Sequence, residues 1–246
     1  MSVEPNQIRN ILTLRYDPSQ NPLLPALQWN DFSINTHDPS LEHIEKYIEN
    51  YISKKVENSD VKRISLALSG GVDSSLILAF IRNTLPELKI DTISVKFADS
   101  IDETKTAEKI ADHFEVDHHV IFLENYLRDL PKAISITKLP FWDLHWYYVA
   151  KKAQTFSKYL AAGDGGDEVF GGYTFRYAKF LSLVNPKSTA LEKAKAYLKC
   201  HERDSVTDQE EVFGEHITFS WDLIYEQILP YFDNSLSALD QVLLAD

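Results

Sequence analysis

Leu41, Ile44, Ile48 and Ile52 recur at three- and four-residue intervals. That spacing predicts an amphipathic helix, with Ser40-Leu41-Glu42 suited to its exposed first-turn amides. Polar Asn58-Ser59-Asp60 interrupts the pattern, and Ile64-Ser65-Leu66-Ala67-Leu68 then predicts a short buried strand. Leu76 to Leu85 predicts a buried helix and Ile90 to Phe97 a second strand. Asp102 to Phe114 predicts a helix with Ala107, Ile110 and Ala111 inward, and His119-Val120-Ile121-Phe122 a third strand. A helix is expected over Trp146 to Ser157, after which Lys158 to Ala162 forms another extended segment. Strands alternating with helices of this length require crossover connections. The fold class is therefore α/β: an open, mainly parallel sheet with helices on both faces. Beyond Tyr173 the pattern predicts only a mostly helical C-terminal extension, with helices at Thr189 to Leu198 and Trp221 to Leu229 and a polar loop from His201 to Glu211. Residues 1–39 carry Pro5, Pro18, Pro22, Pro25 and Pro39 and read as an irregular arm or linker. The expected division is an arm at 1–39, an α/β domain at 40–182 and a helical extension at 183–246.

Composition narrows the partners. The 246 residues are 44 % hydrophobic, enough for one well-packed domain with a small appendage. With 25 basic against 37 acidic residues the net charge is −12, which disfavours lasting contact with nucleic acid or anionic lipid. Neither nucleic acid nor membrane is an expected partner. No run approaches the ~20 apolar residues of a spanning helix. Met1-Ser2-Val3-Glu4-Pro5 lacks a basic region feeding an apolar stretch, so a cytoplasmic location is expected. Cys200 is the only cysteine, which excludes an internal disulfide and a thiolate metal cluster. It ends an amphipathic segment and reads as a packing or surface thiol.

Seven of the eight glycines fall in two clusters, Ser69-Gly70-Gly71-Val72-Asp73-Ser74-Ser75 and Gly163-Asp164-Gly165-Gly166-Asp167-Glu168-Val169-Phe170-Gly171-Gly172-Tyr173. Glycine admits tight positive-φ turns and lets phosphate approach backbone amides. Each cluster follows an expected strand, where ligands collect in parallel sheets. In the first, Gly70 and Gly71 turn the chain from strand to helix. Ser69, Ser74 and Ser75 add hydroxyls, and the helix N-terminus adds its positive end. The site suits the β- and γ-phosphates of ATP, and Asp73, which bare phosphate would repel, suits a bridging Mg2+. The alternative is a tight loop with Asp73 capping the helix. There is no Gly-Lys-Ser/Thr, so this is not the Walker pattern.

The run Ser69 to Ser74 resembles the pyrophosphatase loop of the adenine-nucleotide alpha-hydrolase superfamily. The segment Gly163 to Tyr173 resembles the synthase domain of asparagine synthetases within it, over approximately residues 40 to 180. The resemblance implies an ATP pyrophosphatase-like fold and AMP-forming activation of a carboxylate, completed by attack of ammonia or an amine. It implies that Leu68, Val95, Ala162 and Gly163 line an adenosine pocket. Ser69, Gly70, Gly71, Asp73, Ser74 and Ser75 would hold pyrophosphate, Asp73 and Asp167 would hold Mg2+, and Asp164 would face the acyl substrate or AMP. Asp73, Asp164 and Asp167 are the candidate catalytic residues. Glu168 would secure the loop from below. The alternative makes 164–168 an acidic surface turn.

The segment Leu139 to Tyr148 would lie on the substrate side, where Asp143 orients an amino group and Trp142 or Trp146 walls a pocket. Alternatively these aromatics pack a helix onto the sheet. His145 and the pair His118-His119 read as packed or hydrogen-bonded histidines, with no metal triad beside them. Family members that use glutamine begin with a glutaminase domain, for which this chain has no room. The expected nitrogen donor is therefore ammonia, an amine, or the product of a partner glutaminase. The lysine that such domains carry near the C-terminus is also missing, leaving Lys96, Lys105 or Arg176 as substitutes. The rival expectations are a catalytically impaired nucleotide-binding subunit or scaffold, or another ligase of the same superfamily, and a complementing subunit is a further expected partner.

Overall fold

The computed structural model describes residues 4–18, 40–57, 61–98, 101–125, 127–137, 144–203, 209–232 and 235–246. Backbone contacts divide the chain into a sheet unit (34–133 and 142–166) and a helical unit (1–33, 134–141 and 167–246).

The sheet unit begins with α1's successor in sequence, the helix α2 Leu41–Glu57; α1 (Pro5–Leu14) belongs to the helical unit. It continues through β1 Arg63–Ala67, α3 Val72–Thr84, β2 Lys89–Phe97, α4 Thr104–His113 and β3 Asp117–Leu123. The division passes through the helix α5 Leu130–Thr137, at 133–134, and α6 His145–Ala153 and β4 Leu160–Ala161 complete the unit. The strands form one parallel sheet of order β3-β2-β1-β4. Alternation along β1 and β2 sends side chains to two apolar layers. Ile64, Leu66, Leu68 and Ile90 pack with Leu78 and Ile81 of α3 and Ala107 and Ala111 of α4. Ala67, Ile93, Val95 and Ile121 pack with Val149 and Ala153 of α6. Both faces are thus covered, as βαβ crossovers require.

One polar cluster is buried in that sheet. Asp91, on β2, is 0 % exposed. Its carboxylate accepts from Arg63 Nε at 2.5 Å and Nη2 at 2.7 Å and lies 2.9 Å from His119 Nε2. Burial by itself pushes the Asp91 carboxyl up, but the bonds and charges of Arg63 and His119 outweigh it and hold it below the usual carboxylate range.

The helical unit holds α7 Gly166–Phe170 from its second residue on, α8 Thr174–Leu183, α9 Ala190–Cys200, α10 Gln209–Phe213, α11 Trp221–Ile228 and α12 Ala238–Ala245. Phe180, Leu198, Ile224, Ile228, Phe232 and Val242 form its core. Thr189 caps α9 by accepting from Glu192 N–H at 3.2 Å, while Glu192 accepts in return from Thr189 N–H at 2.7 Å.

Two expectations need correction. The first forty residues are not irregular throughout, because Pro5–Leu14 is helical. Proline is compatible with a first helical position, Gln7 accepts from Glu4 N–H at 3.3 Å, and Ile11 and Leu14 are buried. The fourth strand is two residues long rather than five, since only Ser65 and Leu66 of β1 find partners in it. The last change-over between the compact units falls at 166–167.

Candidate functional site

The chain leaves β1 under close control. Leu68 N–H donates to the Ile93 carbonyl at 2.9 Å, and the Ser94 hydroxyl donates to the Leu68 carbonyl. Gly70 then adopts φ +83°, where a Cβ is strained. A Cβ there would also stand 3.2 Å from Ala107 N in the first turn of α4. Gly71 is the N-cap of α3 and offers no side chain to its first-turn amides. The serines brace this turn. Ser69 N–H donates to Ser74 Oγ at 3.3 Å, Gly71 N–H donates to Ser69 Oγ at 3.2 Å, and Ser75 Oγ donates to the Gly71 carbonyl at 2.6 Å.

The second glycine cluster lies directly against the first. A Cβ on Gly163 would sit 2.6 Å from Ser74 N and 2.9 Å from Asp73 Cβ. One on Gly166 would sit 2.8 Å from Asp73 Oδ1. At Gly163 the neighbours are backbone atoms, so only glycine lets the chain pass the start of α3 there, whereas at Gly166 the Asp73 carboxylate would have to turn aside. Gly165, at φ +89°, has open space around it and is constrained by backbone conformation alone.

These loops border a cavity of about 490 Å³ beyond the carboxyl ends of β1 and β2. Ala67, Ile93, Val95, Phe97, Trp146 and Val149 make its apolar wall. Ser69, Asp73, Ser74, Ser94, Glu103, Thr104, His145 and Asp164 supply its polar groups. Among the described residues lining it there is no lysine or arginine.

Of the residues expected from sequence, Leu68, Ser69, Asp73, Ser74, Val95, Ala162, Gly163 and Asp164 line this cavity together. Gly70, Gly71 and Ser75 instead line a second, mainly apolar space between α3 and α4, with Val72, Leu76, Ile110 and Phe114. Asp167 belongs to the helical unit, where its Oδ1 occupies the place a Cβ on Gly172 would need. There Glu168 accepts from the Tyr173 hydroxyl at 2.8 Å, and burial together with Glu168 pushes that phenol up to about 12. Trp142 and Asp143 lie outside the described residues, whereas Trp146 and His145 line the cavity.

Sequence reasoning did not assign Glu103, Thr104 or Val149 to the site. Sheet order brings them there, and no local motif marks them. Asp102 beside them accepts from Thr104 Oγ1 at 2.6 Å, which, with the charges of Lys96 and Lys105, holds its carboxyl below the usual range. Those two lysines therefore sit near the Asp102 corner. Arg176 lies in the helical unit with its guanidinium 4.1 Å from the Tyr173 ring centroid. His118 Nδ1 lies 2.8 Å from Thr92 Oγ1 and His119 stacks on Phe156 at 4.3 Å, so both are structurally engaged. No group of three metal-binding side chains occurs among the described residues. Cys200 is buried, and burial raises its thiol to about 11, as suits a packing residue.

A covered parallel sheet with a glycine-turned helix start and a cavity at the carboxyl ends of its strands defines an α/β protein of the ligand-binding, doubly wound kind. The asparagine synthase family model matches residues 45–243. The chain belongs to the asparagine synthase family. It is 36 % identical over 122 residues to a putative glutamine-hydrolyzing asparagine synthetase of Methanocaldococcus jannaschii, covering 47 % of this chain and 23 % of that protein. Against glutamine-hydrolyzing asparagine synthetase 1 of Bacillus subtilis the identity is again 36 % over 122 residues, covering 47 % and 19 %. The human glutamine-hydrolyzing asparagine synthetase is 26 % identical over 197 residues, covering 71 % and 34 %. The chain thus spans only about a fifth to a third of the length of these relatives. A solved NMN synthetase of Francisella tularensis aligns over 83 % of this chain and 92 % of its own at 19 % identity, with a TM-score of 0.42, too loose a likeness to carry an argument.

Proposed function

We propose that this chain is the ATP-handling part of an AMP-forming carbon–nitrogen ligase. It would bind Mg2+-ATP and activate a small carboxylate. A carboxylate oxygen attacks the α-phosphorus of ATP, the bond to the β-phosphate oxygen breaks, and pyrophosphate leaves. Ammonia or an amine then attacks the acyl carbon, AMP departs, and the nitrogen sheds a proton to give the amide.

The observation that carries this reading is the contact of the two glycine clusters. Gly163 and Gly166 press on the uncapped start of α3, at the edge of a cavity whose other wall is apolar. Adenosine suits the Val95, Phe97 and Trp146 side. The phosphates suit the amides of α3 and the glycine turn. Ser69 and Ser74 would orient those amides, and Asp164 would face the acyl substrate.

The donor set is compatible with Mg2+. The ion commonly takes one or two carboxylates and completes its shell with water and substrate phosphates. Asp73, whose carboxylate abuts Gly166 at the α3 start, is the first ligand. Asp167 is proposed as the second from the sequence pattern. Bound Mg2+ would neutralise the triphosphate beside a cavity lined by no lysine or arginine among the described residues. That same lack of a lysine or arginine supports a second reading, a subunit that binds nucleotide while catalysis requires another chain.

The deciding measurement is carboxylate-dependent AMP formation from ATP, with ammonium and then with small amines. AMP and pyrophosphate released in equal amounts support the ligase. Tight ATP binding with no AMP under any condition favours the binding subunit, and no binding at all overturns both.

A further inference from the structure

The peptide group joining Leu68 to Ser69 is held at both of its polar ends by buried hydroxyls. Its carbonyl accepts from Ser94 Oγ, and its N–H donates to Ser74 Oγ at 3.3 Å. Ser94 is 5 % exposed and Ser74 7 % exposed, and both line the cavity. The two serines come from different elements, the carboxyl end of β2 and the first turn of α3. Only Ser69 separates this peptide from the glycine turn. Its plane sets the direction in which Gly70 and Gly71 leave the sheet, because glycine φ and ψ impose no direction of their own.

We infer that Ser94 is a positioning residue for the phosphate site. By fixing the Leu68–Ser69 peptide plane from β2, it pre-orients the amides of the glycine turn before nucleotide arrives. Its ligand class is that of the function proposed above, a nucleoside triphosphate, and the inference rests on that reading. The energetic logic is preorganisation: a turn already held in its bound direction loses less conformational freedom on binding. Ser74 alone cannot do this. It belongs to the helix that the turn leads into, so it moves with the turn, whereas Ser94 is anchored in the sheet.

Ser65 supplies the control. It is 0 % exposed on β1, and its hydroxyl likewise donates to a carbonyl, that of Ala153, at 3.3 Å. It does not line the cavity. Ser94→Ala and Ser65→Ala each remove one buried hydroxyl–carbonyl bond from the same sheet, but only the first touches the peptide before the turn.

The test has two arms on the full chain. In the first, without nucleotide, amide hydrogen exchange of residues 69–71 is compared among wild type, Ser94→Ala and Ser65→Ala. Losing one net hydrogen bond should speed exchange there by about fivefold in Ser94→Ala, with no local change in Ser65→Ala. In the second arm, ATP titration should give a weakened Kd for Ser94→Ala, by a factor of similar size, and an unchanged one for Ser65→Ala. Partial recovery in Ser94→Thr, which keeps the hydroxyl, would add support. Equal exchange in both alanine variants overturns the clamp. Faster exchange with unaltered ATP affinity overturns its role in positioning. A wild-type chain that binds no nucleotide rejects the proposed function, while the exchange arm still decides whether the clamp exists.

Discussion

Asp73 and Gly163 show how much of the site is decided by single atoms. Asp73 lies on the first turn of α3 with its carboxylate against Gly166. Asp73→Asn keeps the shape and removes the charge. It is expected to lower ATP–pyrophosphate exchange by about a hundredfold, the scale of one lost preorganised electrostatic contact, while the urea midpoint barely moves. An unchanged exchange rate would reject the assignment. Gly163→Ala tests geometry instead of charge. Its methyl would fall 2.6 Å from Ser74 N, a backbone atom that cannot step aside. The start of α3 must shift, costing about 1–3 kcal/mol as overpacking does and weakening nucleotide binding in a fluorescence titration. Gly165→Ala meets no atom within 4 Å, so any effect there comes from backbone strain at φ +89° alone. The glycines were legible in the sequence as turn formers. That Gly163 is needed for the close approach to Asp73 and Ser74 was not, because close approach between distant segments leaves no local pattern.

Among the elements, β2 carries the most. Its carboxyl end provides Ser94, Val95 and Phe97 to the cavity, and its middle buries Asp91 against Arg63 of β1 and His119 of β3. Three strands are thereby tied by one carboxylate. Its folded pKa is depressed below the unfolded value of about 3.9. The linked stability is therefore complete above that value and is lost as pH falls through the folded pKa. The stability difference between wild type and Asp91→Asn in urea unfolding should hold steady from about pH 7 to 5 and narrow below about pH 4. A gap that stays constant down to acid unfolding would show that the carboxylate charge contributes nothing there. His118 and His119 were correctly read as structural, although Asp91, the reason for His119, sits mid-strand where only pairing register brings the two together. α1 was missed because prolines spread over forty residues masked a ten-residue helix whose own proline stands at its first position.

At the scale of the molecule, the described residues form separate apolar cores in the sheet and helical units. Phe180 is 0 % exposed in the helical core and stacks against Phe232 at 5.8 Å. Phe180→Ala should cost about 3–5 kcal/mol, concentrated in the helical unit. Hydrogen exchange should then rise in α8, α9 and α11 and stay slow in β1 and β2. A uniform rise would mean that the two cores unfold as one. The sequence by itself determined the alternation of strands and helices, the parallel sheet and the two glycine turns, because periodicity and glycine chemistry are local properties. Only the tertiary structure decided that Gly163 and Gly166 lie on Asp73, that Glu103 and Thr104 border the cavity, and that Ser94 holds the peptide before the turn. Those depend on strand order and on sub-ångström clearance between segments far apart in the chain, and neither is written in any short stretch of residues.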